Sequence, residues 1–415
     1  MRKMKKLKDV CVKFDDGDWI ESKDQSESGI RLIQTGNIGE GEFLEKTERT
    51  KYISEDTFER LKCEEVFSGD ILVSRLPEPI GRACIIPFKT EKMITAVDCT
   101  ICRVNEKVIR KEYLCYFMQS SAYYNQLKTK VTGTTRKRIS RKNLGNIDLP
   151  ILKLEDQDKI IRKLDCIKNI IYLKKKEILL LDNLIQSRFV EMFGDLADPK
   201  CVWNKVKLIN VCKTPNDVKC GPFGTQLNKN EYQKKGVAVW EIPQINDEFT
   251  SEPIHFLTEK KAKILESYSV ISGDIVMSRK GNIGKCAVFP DEYEKGIIHS
   301  DVLRIRVDAE QVNSQFMMRQ LHYSRAIKHQ IGTVSSGAIM AGINVTKLKQ
   351  IYVHIPPIDL QNQFAAFVQQ VNKSKFVIHK FLYCTTHNTK SIIKPRLNTK
   401  ESGKIRGGKP HADEF

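Results

Sequence analysis

The sequence carries the same pattern twice, about half a chain length apart. The octapeptide SGDILVSR begins at Ser68 and SGDIVMSR begins at Ser272, so the copies are separated by 204 residues, the difference between 272 and 68. The same offset relates three further pairs of segments: 51–54 with 255–258, 139–144 with 343–348, and 154–157 with 358–361. Blocks that share one offset over such a span indicate two copies of a whole domain rather than a solenoid of short repeats.

Each half predicts a mixed domain of strands and helices that is followed by a longer helix. Short segments rich in β-branched residues, such as GDILVSR, DCTICRV and DVLRIRV, are bounded by Gly, Pro or Asp and predict strands. Segments such as KEYLCYFMQSSAYYNQLK have apolar residues at helical spacing. The predicted class is α+β, with two tandem domains. The expected boundaries are 1–152 and 196–356 for the domains, 153–195 and 357–390 for the helices, and 391–415 for a disordered tail.

A heptad-like row of apolar residues predicts a coiled-coil helix from about Glu155 to Met192. Only Lys174 interrupts its alternation of four- and three-residue steps. Gly194 and Pro199 follow, and both residue types terminate helices. The residues expected to pair with a second helix are Ile160, Leu164, Ile167, Ile171, Ile178, Leu181 and Ile185.

The second helix carries the same row for only part of its length. The positions that lie 204 residues after the first row should be apolar, but Lys375 occupies one of them. The last two of these positions are Thr385 and Thr389, so the apolar row stops there. We therefore expect a short second arm that no longer pairs beyond about Leu382. A truncated or frame-altered end of the chain, with weaker docking of a partner on one side, is our hypothesis for this loss. The predicted pairing residues are Phe364, Val368, Val371, Ile378 and Leu382.

The charge balance favours a polyanionic partner. The 415 residues include 69 Lys and Arg against 51 Asp and Glu, a formal net charge of +18. Such an excess supports phosphate binding through counterion release, by DNA, RNA or an anionic membrane. No apolar run approaches bilayer-spanning length, and acidic residues from Asp9 onward interrupt the basic start MRKMKKLKDV where a signal peptide would be apolar. We expect a cytoplasmic protein with no membrane partner.

The cysteine pattern does not indicate a disulfide framework or a metal site. Twelve cysteines are scattered without regular spacing, which suits a reducing compartment. The tight pair Cys99 and Cys102 lacks nearby zinc ligands, because every histidine lies at His255 or later. We expect these two cysteines to be buried on a strand, and we expect no bound metal.

The sequence lacks the motifs of enzymes that act on nucleic acids. It contains no G-xxxx-GK-[ST] phosphate loop and no Asn-Pro-Pro-aromatic motif of an adenine methyltransferase. Pro290 and Asp291 lack the Asp/Glu-x-Lys partner in the following strand that a metal-dependent nuclease would need. A catalytic role is therefore not expected.

In the order and duplication of its motifs, the chain resembles the specificity subunits of type I restriction-modification enzymes. The motifs are SGDI-xx-SR in each half, a Gly/Ser/Thr loop before I-[SN]-xxxL, and the helix openings LPILKLEDQ and IPPIDLQNQ. The segment LIQSRFVEMFGD after the first helical arm is particularly characteristic. The resemblance extends over nearly the whole chain, to about residue 382.

The resemblance implies two target recognition domains with pseudo-two-fold symmetry, separated by two long antiparallel coiled-coil helices. Each domain would read one half of a gapped double-stranded DNA target, and the helices would set the gap. The helices would also dock two DNA methyltransferase subunits and, through them, restriction subunits. A specificity subunit binds no cofactor directly, since S-adenosylmethionine, ATP and Mg²⁺ belong to the partner subunits. The chain would thus serve DNA methylation and host defence without catalysis of its own.

One loop in each half is the first candidate for DNA contacts. In the first half it carries clustered cations, which would pair with phosphates or with guanine. Its predicted contact residues are Thr134, Thr135, Arg136, Lys137, Arg138 and Arg141. The corresponding loop has almost no charge and offers Ser335 and Ser336. A solvated surface loop is the alternative for the basic stretch, and a plain turn is the alternative for the serines.

Turns at corresponding places supply further candidates, because amides pair with adenine. These candidates are Gln34, Thr35, Asn37, Gln226, Asn228, Lys229, Gln244 and Asn246. Asn is also common in turns, so we expect about half of them to be structural. Arg75, Arg279 and Lys280 end strands and would face phosphates, although their repetition in both halves also fits a scaffold role.

A free-standing DNA-binding regulator is the alternative interpretation of the same features. It would use the same basic surfaces, but nothing would require long helices with an apolar seam. An RNA-binding module fits less well, because no interleaved aromatic and basic motif is present.

Overall fold

The chain divides into two compact units, and a computed structural model describes its residues 3–335 and 342–392. One unit comprises the chain up to Lys174 together with the residues from Lys380 onward, and the other comprises Lys175–His379. The division passes through both long helices. The predicted tail at 391–415 lies outside the described residues, except for its first two residues.

The first domain combines short strands with short helices. Its strands are β1 (Lys3–Lys6), β2 (Cys11–Asp16), β3 (Ile30–Ile33), β4 (Lys51–Ile53), β5 (Ile71–Ser74), β6 (Ala83–Ile85), β7 (Met93–Thr95), β8 (Cys99–Val104) and β9 (Asp148–Ile151). Its helices are α1 (Glu55–Leu61), α2 (Lys111–Phe117), α3 (Ser121–Lys128) and α4 (Arg141–Gly145), and the long α5 (Leu154–Phe193) follows. The sheets have the strand orders β2-β8-β5-β6, β4-β3-β7 and β1-β9.

Within the described residues, the second domain has the same kinds of elements, with one more strand and one more short α-helix than the first. Its helices are α6 (Ile242–Asn246), α7 (Glu259–Ile264), α8 (Ser314–Tyr323), α9 (Arg325–Ser335) and α10 (Val345–Leu348), and the long α11 (Ile358–Ile392) follows. Its strands are β10 (Asn204–Lys207), β11 (Val218–Cys220), β12 (Val237–Trp240), β13 (His255–Leu257), β14 (Ser269–Val270), β15 (Ile275–Ser278), β16 (Cys286–Val288), β17 (Gly296–Ile298), β18 (Val302–Ile305) and β19 (Tyr352–Ile355). The sheets have the orders β11-β18-β15-β16, β13-β12-β17-β14 and β10-β19.

The two domains share one topology, as the repeated sequence predicts. In the first domain β5 pairs antiparallel with β6 and β8, and in the second β15 pairs in the same way with β16 and β18. The parallel pair β3-β7 has its counterpart in β12-β17. The predicted fold class, α+β with two tandem domains of one repeat, is therefore confirmed.

The aspartate of each SGDI motif is a buried ion-pair partner. Asp70 accepts two hydrogen bonds of 2.8 Å from Arg103, and Asp274 accepts two of 2.7 Å from Arg306. A bidentate arginine satisfies a carboxylate that has lost its water on burial. Because each arginine lies on or next to the neighbouring strand, the motif ties β5 to β8 and β15 to β18.

A buried glutamine joins each domain to the long helix that follows it. Gln157 accepts a hydrogen bond of 2.9 Å from the main-chain N–H of Arg110 and donates two to main-chain oxygens. Gln361, 204 residues later, accepts one of 2.9 Å from Asn313 and also donates two. The oxygens that accept belong to Val108 and Leu152 in the first domain and to Gln311 and Pro356 in the second. The repeated LEDQ and IDLQ segments, 154–157 and 358–361, are thus structural.

The first long helix matches the prediction to within one residue at each end. α5 spans Leu154–Phe193, against an expected 155–192. Each residue of its predicted apolar row is buried or half-buried, whereas Tyr172 and Leu173 beside the row are exposed. The row therefore forms one covered face, as a heptad pattern predicts.

Within the second unit, α11 runs antiparallel to α5. Phe364 near the start of α11 contacts Phe189 and Phe193 near the end of α5, with ring centroids 5.4 and 5.6 Å apart. Further along α11, Lys375 contacts Asp182, which lies earlier in α5. The paired residues thus follow opposite directions along the two helices. The characteristic LIQSRFVEMFGD segment supplies the two phenylalanines of this contact.

The second long helix continues past the point where its apolar pattern is lost. The described part of α11 has 35 residues, Ile358–Ile392, and so reaches the expected boundary at residue 390. Thr385, where the pattern stops, is helical and half-buried. The truncated or frame-altered end stays a hypothesis. Every residue of the predicted row is buried or half-buried: Phe364, Val368, Val371, Ile378 and Leu382.

Cys99 and Cys102 are fully buried on β8, which confirms the expectation for this pair. Burial raises the pKa of the Cys99 thiol to about 12, so the thiol stays protonated. No group of three or more His, Cys, Asp or Glu side chains suited to a metal occurs in residues 3–335 and 342–392. Over those same ranges, no helix is long and apolar enough to cross a membrane.

Candidate nucleic-acid interface

The ends of several strands meet at one edge of each domain, which we call the loop edge. In the first domain β2 and β5 both run antiparallel to β8, so their ends lie beside its start. The N–H of Ala96 donates a hydrogen bond of 3.1 Å to the oxygen of Ile33, which brings the ends of β3 and β7 to the same place. Segments 17–19, 34–37 and 75–82 leave the sheets at this edge.

The second domain has an equivalent loop edge. There β11 and β15 end beside the start of β18, and the N–H of His299 donates a hydrogen bond of 2.9 Å to Trp240, which joins the ends of β12 and β17. Segments 221–226, 241–248 and 279–285 leave the sheets here. Candidates that are scattered along the sequence are therefore collected at one edge of each domain.

An arginine at the end of each SGDI-xx-SR motif holds the base of the candidate loop. Arg75 donates to the main-chain oxygens of Val97 at 2.5 Å and Ile139 at 3.4 Å. Arg279 donates to the oxygen of Ile343 at 3.1 Å, again 64 residues further along the chain. The Arg75 side chain is buried, with 5% of the residue exposed. Its placement fits the scaffold role rather than the phosphate contact that the sequence suggested.

The basic loop, residues 131–142, is an exposed turn with a fixed base. Thr132 and Arg138 exchange two main-chain hydrogen bonds of 2.9 Å, and all residues between them are exposed. Gly133 has a φ of 99°, and a Cβ there would lie 2.6 Å from the oxygen of Arg136, so the turn requires glycine. The side chains at the tip are therefore presented to solvent by a defined backbone.

The cations of the basic loop differ in how far they are neutralised. Lys137 and Arg141 form ion pairs of 3.3 and 2.8 Å with carboxylates of the same domain. In the described part of the chain, Arg136 and Arg138 have no carboxylate within 4.0 Å. A guanidinium without an ion pair binds a phosphate or a guanine without first giving up another partner. Arg136 and Arg138 are thus the cations of this loop best suited to contact a nucleic acid.

A groove lies between the basic loop and the segment that follows β5. Its volume is about 620 Å³, and Ile80, Tyr124 and Leu127 line it together with the ion-paired Glu78 and Lys137. Burial raises the pKa of Tyr124 to about 12, so its hydroxyl stays neutral. The groove makes the basic loop and the 76–82 segment parts of one continuous surface.

Arg82 joins the 34–37 turn to this surface. Its guanidinium donates hydrogen bonds of 2.9 Å to the oxygen of Thr35 and 2.6 Å to the oxygen of Ile38. Arg82 was not among the residues predicted from the sequence. A signal for Arg82 was present, because the tripeptide Ile-Gly-Arg at 80–82 recurs as Ile-Gly-Lys at 283–285. In the second domain Lys285 forms an ion pair of 3.5 Å with Glu248.

Two of the predicted amides use both their oxygen and their nitrogen inside their own domain. Asn37 accepts a hydrogen bond of 3.0 Å from the N–H of Gln34 and donates one of 2.9 Å to Leu44. Gln244 is 3% exposed, accepts one of 3.3 Å from the N–H of Glu241 and donates one to a main-chain oxygen. Both amides stabilise turns, so they match the structural alternative for this set of residues.

The remaining candidates are more accessible, although some also make hydrogen bonds within the domain. Gln226 accepts hydrogen bonds of 3.3 and 3.0 Å from the N–H of Phe223 and the hydroxyl of Tyr268, and Asn228 donates one of 3.1 Å to the oxygen of Thr225. Asn246 accepts a hydrogen bond of 3.4 Å from Asn282, and Lys280 forms an ion pair of 2.9 Å with Asp301. The side chain of Ser335 and the whole of Ser336 lie outside the described residues. The exposed candidates are Gln226, Asn228, Lys229 and Asn246, and the half-buried ones are Gln34, Thr35, Arg279 and Lys280.

A sequence profile of the type I restriction modification DNA specificity domain matches the chain twice, over residues 2–182 and 202–382. The chain belongs to this family. Each match covers one mixed domain together with part of the long helix that follows it, so the internal repeat is a repeat of the specificity domain.

A curated protein is similar to part of the chain. The type I restriction enzyme MjaVIII specificity subunit of Methanocaldococcus jannaschii is 26% identical over 175 residues. These residues are 41% of this chain and 40% of that protein, so the match spans about two fifths of the relative's length.

Two solved structures share the fold over nearly their whole length. The type I restriction-modification system S subunit from M. genitalium has a TM-score of 0.54 at 12% identity, with 97% of each chain covered. A chain from a structure of a type I R-M system, determined to explain complex assembly and conformational transition, has a TM-score of 0.56 at 16% identity. The alignment covers 96% of this chain and 97% of that one. At such identities the likeness shows the fold alone.

The two specificity domains share a common frame and differ in the side chains of their loops. Asp70, Arg75 and Gln157 each have an equivalent 204 residues later, and all make contacts inside their own domain. Ser140 and Asn344 cap α4 and α10 after the candidate loops. The loops between these fixed points have different side chains, so one frame carries two different loop edges.

Proposed function

We propose that this chain is the DNA-recognition subunit of a type I restriction-modification complex, in which each specificity domain reads one half of a gapped double-stranded DNA target. The observation that carries the proposal is the pair of loop edges, where one repeated frame presents two different sets of side chains. Membership of the specificity family supports this function over a free-standing DNA-binding regulator. In the proposal the chain supplies recognition and no catalytic group.

The two loop edges would read DNA by different means. On the first, the exposed Arg136 and Arg138 would bind phosphates or guanine, and the neighbouring threonines would contact base edges. On the second, the accessible amides Gln226, Asn228 and Asn246 would pair with bases. Different half-sites would follow from this difference in chemistry.

The long helices would set the spacing of the half-sites and dock two DNA methyltransferase subunits, which in turn recruit restriction subunits. Support comes from apolar side chains that both helices expose to solvent, because a large exposed apolar surface favours a protein partner. They include Leu180, Leu184 and Val190 on α5 and Phe376 and Phe381 on α11. S-adenosylmethionine, ATP and Mg²⁺ would be bound by these partner subunits. The proposal places the complex with the DNA in the cytoplasm.

The test is to express the chain together with its methyltransferase subunit and to map the methylated bases in the host DNA. We expect a two-part motif separated by a fixed number of unspecified bases. Exchanging residues 200–355 for the same segment of another specificity subunit should then change only one part of the motif. Methylation without a two-part motif would contradict the proposal.

Absence of methylation would leave two causes, which capture of the methyltransferase on the immobilised chain separates. A chain that binds its target but captures no methyltransferase is a free-standing regulator. A chain that captures the methyltransferase and binds no DNA is not a recognition subunit.

A further inference from the structure

An exposed aromatic ring occupies the same position in both copies of the repeat. Trp19 follows Gly17 by two residues, and Phe223 follows Gly221 by two residues, so both pairs obey the 204-residue offset. Trp19 is 71% exposed and Phe223 is 50% exposed. Neither ring belongs to a hydrophobic core of its domain. A single exposed ring is ordinary, but the same exposed ring in both halves indicates a shared role.

The backbone that presents each ring is fixed by the frame. A Cβ on Gly17 would lie 2.2 Å from the oxygen of Thr95, and a Cβ on Gly221 would lie 2.2 Å from the oxygen of His299. The N–H groups of these glycines bond to main-chain oxygens at 2.9 and 3.0 Å. Since only glycine fits such close approaches, both rings project from a rigid segment rather than from a loose loop.

Both rings lie at the loop edge beside the anchor of the candidate loop. The guanidinium of Arg279, which holds Ile343, lies 4.9 Å from the centroid of the Phe223 ring. In the first domain the strand residue Asp16 pairs at 3.2 Å with Arg75, and Trp19 follows three positions later. The rings are therefore placed among the side chains for which we propose DNA contact.

The charge beside Trp19 fits contact with bases better than contact with phosphates. The indole N–H donates a hydrogen bond of 3.4 Å to Glu21, and Glu21 forms an ion pair of 2.7 Å with Lys23. A carboxylate at this distance disfavours a phosphate directly on the ring. The flat apolar face of the indole is left for a planar, uncharged group, and a nucleobase has that shape.

We propose that Trp19 and Phe223 insert between neighbouring base pairs, one in each half of the DNA target, and that each unstacks one base step and bends the duplex there. The inference rests on the proposed function, because it takes the loop edges as the surfaces that face DNA. Apolar side chains used as wedges in this way unstack a step and kink the duplex by about 20–90°. The bend would bring more of each loop edge against the DNA.

The experiment uses the complex of the full chain with its methyltransferase and a duplex that carries the mapped target, labelled at both ends for energy transfer. Trp19→Ala and Phe223→Ala are each expected to weaken binding about 10-fold or more, in line with loss of a base stack. Each should also reduce the bend. The dependence of binding on salt should stay unchanged, because no phosphate contact is removed. Trp19→Phe and Phe223→Trp should restore binding and bend.

Matched controls come from exposed apolar residues at the opposite edge of the same sheets, β2-β8-β5-β6 and β11-β18-β15-β16. Phe88 is 84% exposed and lies beyond the end of β6, and Ile271 is 40% exposed and precedes β15. Phe88→Ala and Ile271→Ala should bind and bend the target as the wild-type complex does.

Two results would overturn the wedge and leave the proposed function intact. In the first, the wild-type complex reads a two-part target and both alanine variants bind and bend it equally well. In the second, Trp19→Ala or Phe223→Ala reduces capture of the methyltransferase in the absence of DNA, which would make the rings a protein-docking surface. If the wild-type complex reads no two-part target, the proposed function itself fails.

Discussion

Lys375 and Asp182 form an ion pair of 2.7 Å between the two long helices of the second unit. Lys375 lies 204 residues after Ile171, so a lysine stands where the apolar row of the first helix has an isoleucine. The Lys375 side chain is only 12% exposed, whereas that of Asp182 is 41% exposed. Lysine is accommodated in the row because its aliphatic stem packs in the seam while its ammonium group reaches the carboxylate at the rim.

This geometry predicts a modest coupling between the two side chains. A double-mutant cycle with Lys375→Ala and Asp182→Ala should give about 0.5–1 kcal/mol, since one partner is solvated. Urea unfolding of the full chain measures it. The exposed pair Lys159 and Asp156, 3.4 Å apart within α5, is the control and should couple less. Equal coupling in both pairs would contradict the interhelical contact.

Removal of the buried glutamine that joins a domain to its helix should be costly. Gln361→Met leaves one N–H and two oxygens of the main chain without partners, so we expect a loss of about 2–5 kcal/mol in the free energy of unfolding. Gln363 lies two residues away, is exposed, and serves as the matched control. If Gln363→Met costs as much as Gln361→Met, the hydrogen bonds of Gln361 are not what stabilises this junction.

The buried pair in the second SGDI motif predicts an asymmetry between single and double variants. Arg306→Met leaves Asp274 as an unpaired buried carboxylate, which should cost about 3–5 kcal/mol. Asp274→Asn together with Arg306→Met should recover part of that loss, because no buried charge remains. Chemical denaturation of the two variants and the wild type provides the comparison. No recovery in the double variant would show that the arginine acts through packing.

His322 predicts a loss of stability in acid. Its Nε2 accepts a hydrogen bond of 3.1 Å from the N–H of Cys286, and burial together with nearby Lys285 and Arg319 lowers the pKa of His322 to about 4. An unfolded histidine has a pKa of about 6.5, so protons bind the unfolded chain first as the pH falls. The free energy of unfolding should therefore decrease between about pH 6.5 and 4, by about 3 kcal/mol in all.

The variant His322→Gln keeps a hydrogen-bond acceptor and removes the titration. Unfolding in urea at pH 7 and at pH 4.5 should show a smaller loss for this variant than for the wild type. His329→Gln alters an exposed histidine seven residues further on and should leave the loss unchanged. A wild-type loss that persists in His322→Gln would assign the effect to other groups.

Arg136 predicts a change in the salt dependence of DNA binding. If its free guanidinium contacts a phosphate, Arg136→Ala should lower the slope of log affinity against log salt by about 1. Binding titrations of the complex at several salt concentrations measure this slope. Lys107 is exposed and follows the far end of β8, so Lys107→Ala should leave the slope unchanged. An unchanged slope in Arg136→Ala would remove this residue from the phosphate contacts.

Features with a regular spacing in the sequence were predicted well. The bounds of α5 were correct to one residue at each end, because a heptad row and the following Gly194 and Pro199 are local signals. The common topology of the domains followed from the repeat. These predictions depend on patterns that lie within one helix or recur at one offset.

Contacts that depend on tertiary neighbours were not visible in the sequence. Asn37 and Gln244 look like available amides, yet each is bonded to main-chain groups of its own turn. Arg75 looks like a terminal cation, yet it is buried against the loop that begins more than 50 residues later. The shared position of Trp19 and Phe223 was present in the sequence but hidden, because the two residues differ in type.

The pairing of the first strand of each domain with its last has a consequence for inheritance. β1 lies beside β9, with Lys3 opposite Ile151, and β10 lies beside β19, with Asn204 opposite Ile355. The chain therefore enters and leaves each domain at neighbouring points. Each domain is thus a segment whose two ends lie side by side. Recombination between genes at these two strands would graft a foreign domain onto the same helices, and under the proposed function a lineage would acquire a new half-site by one crossover at each border.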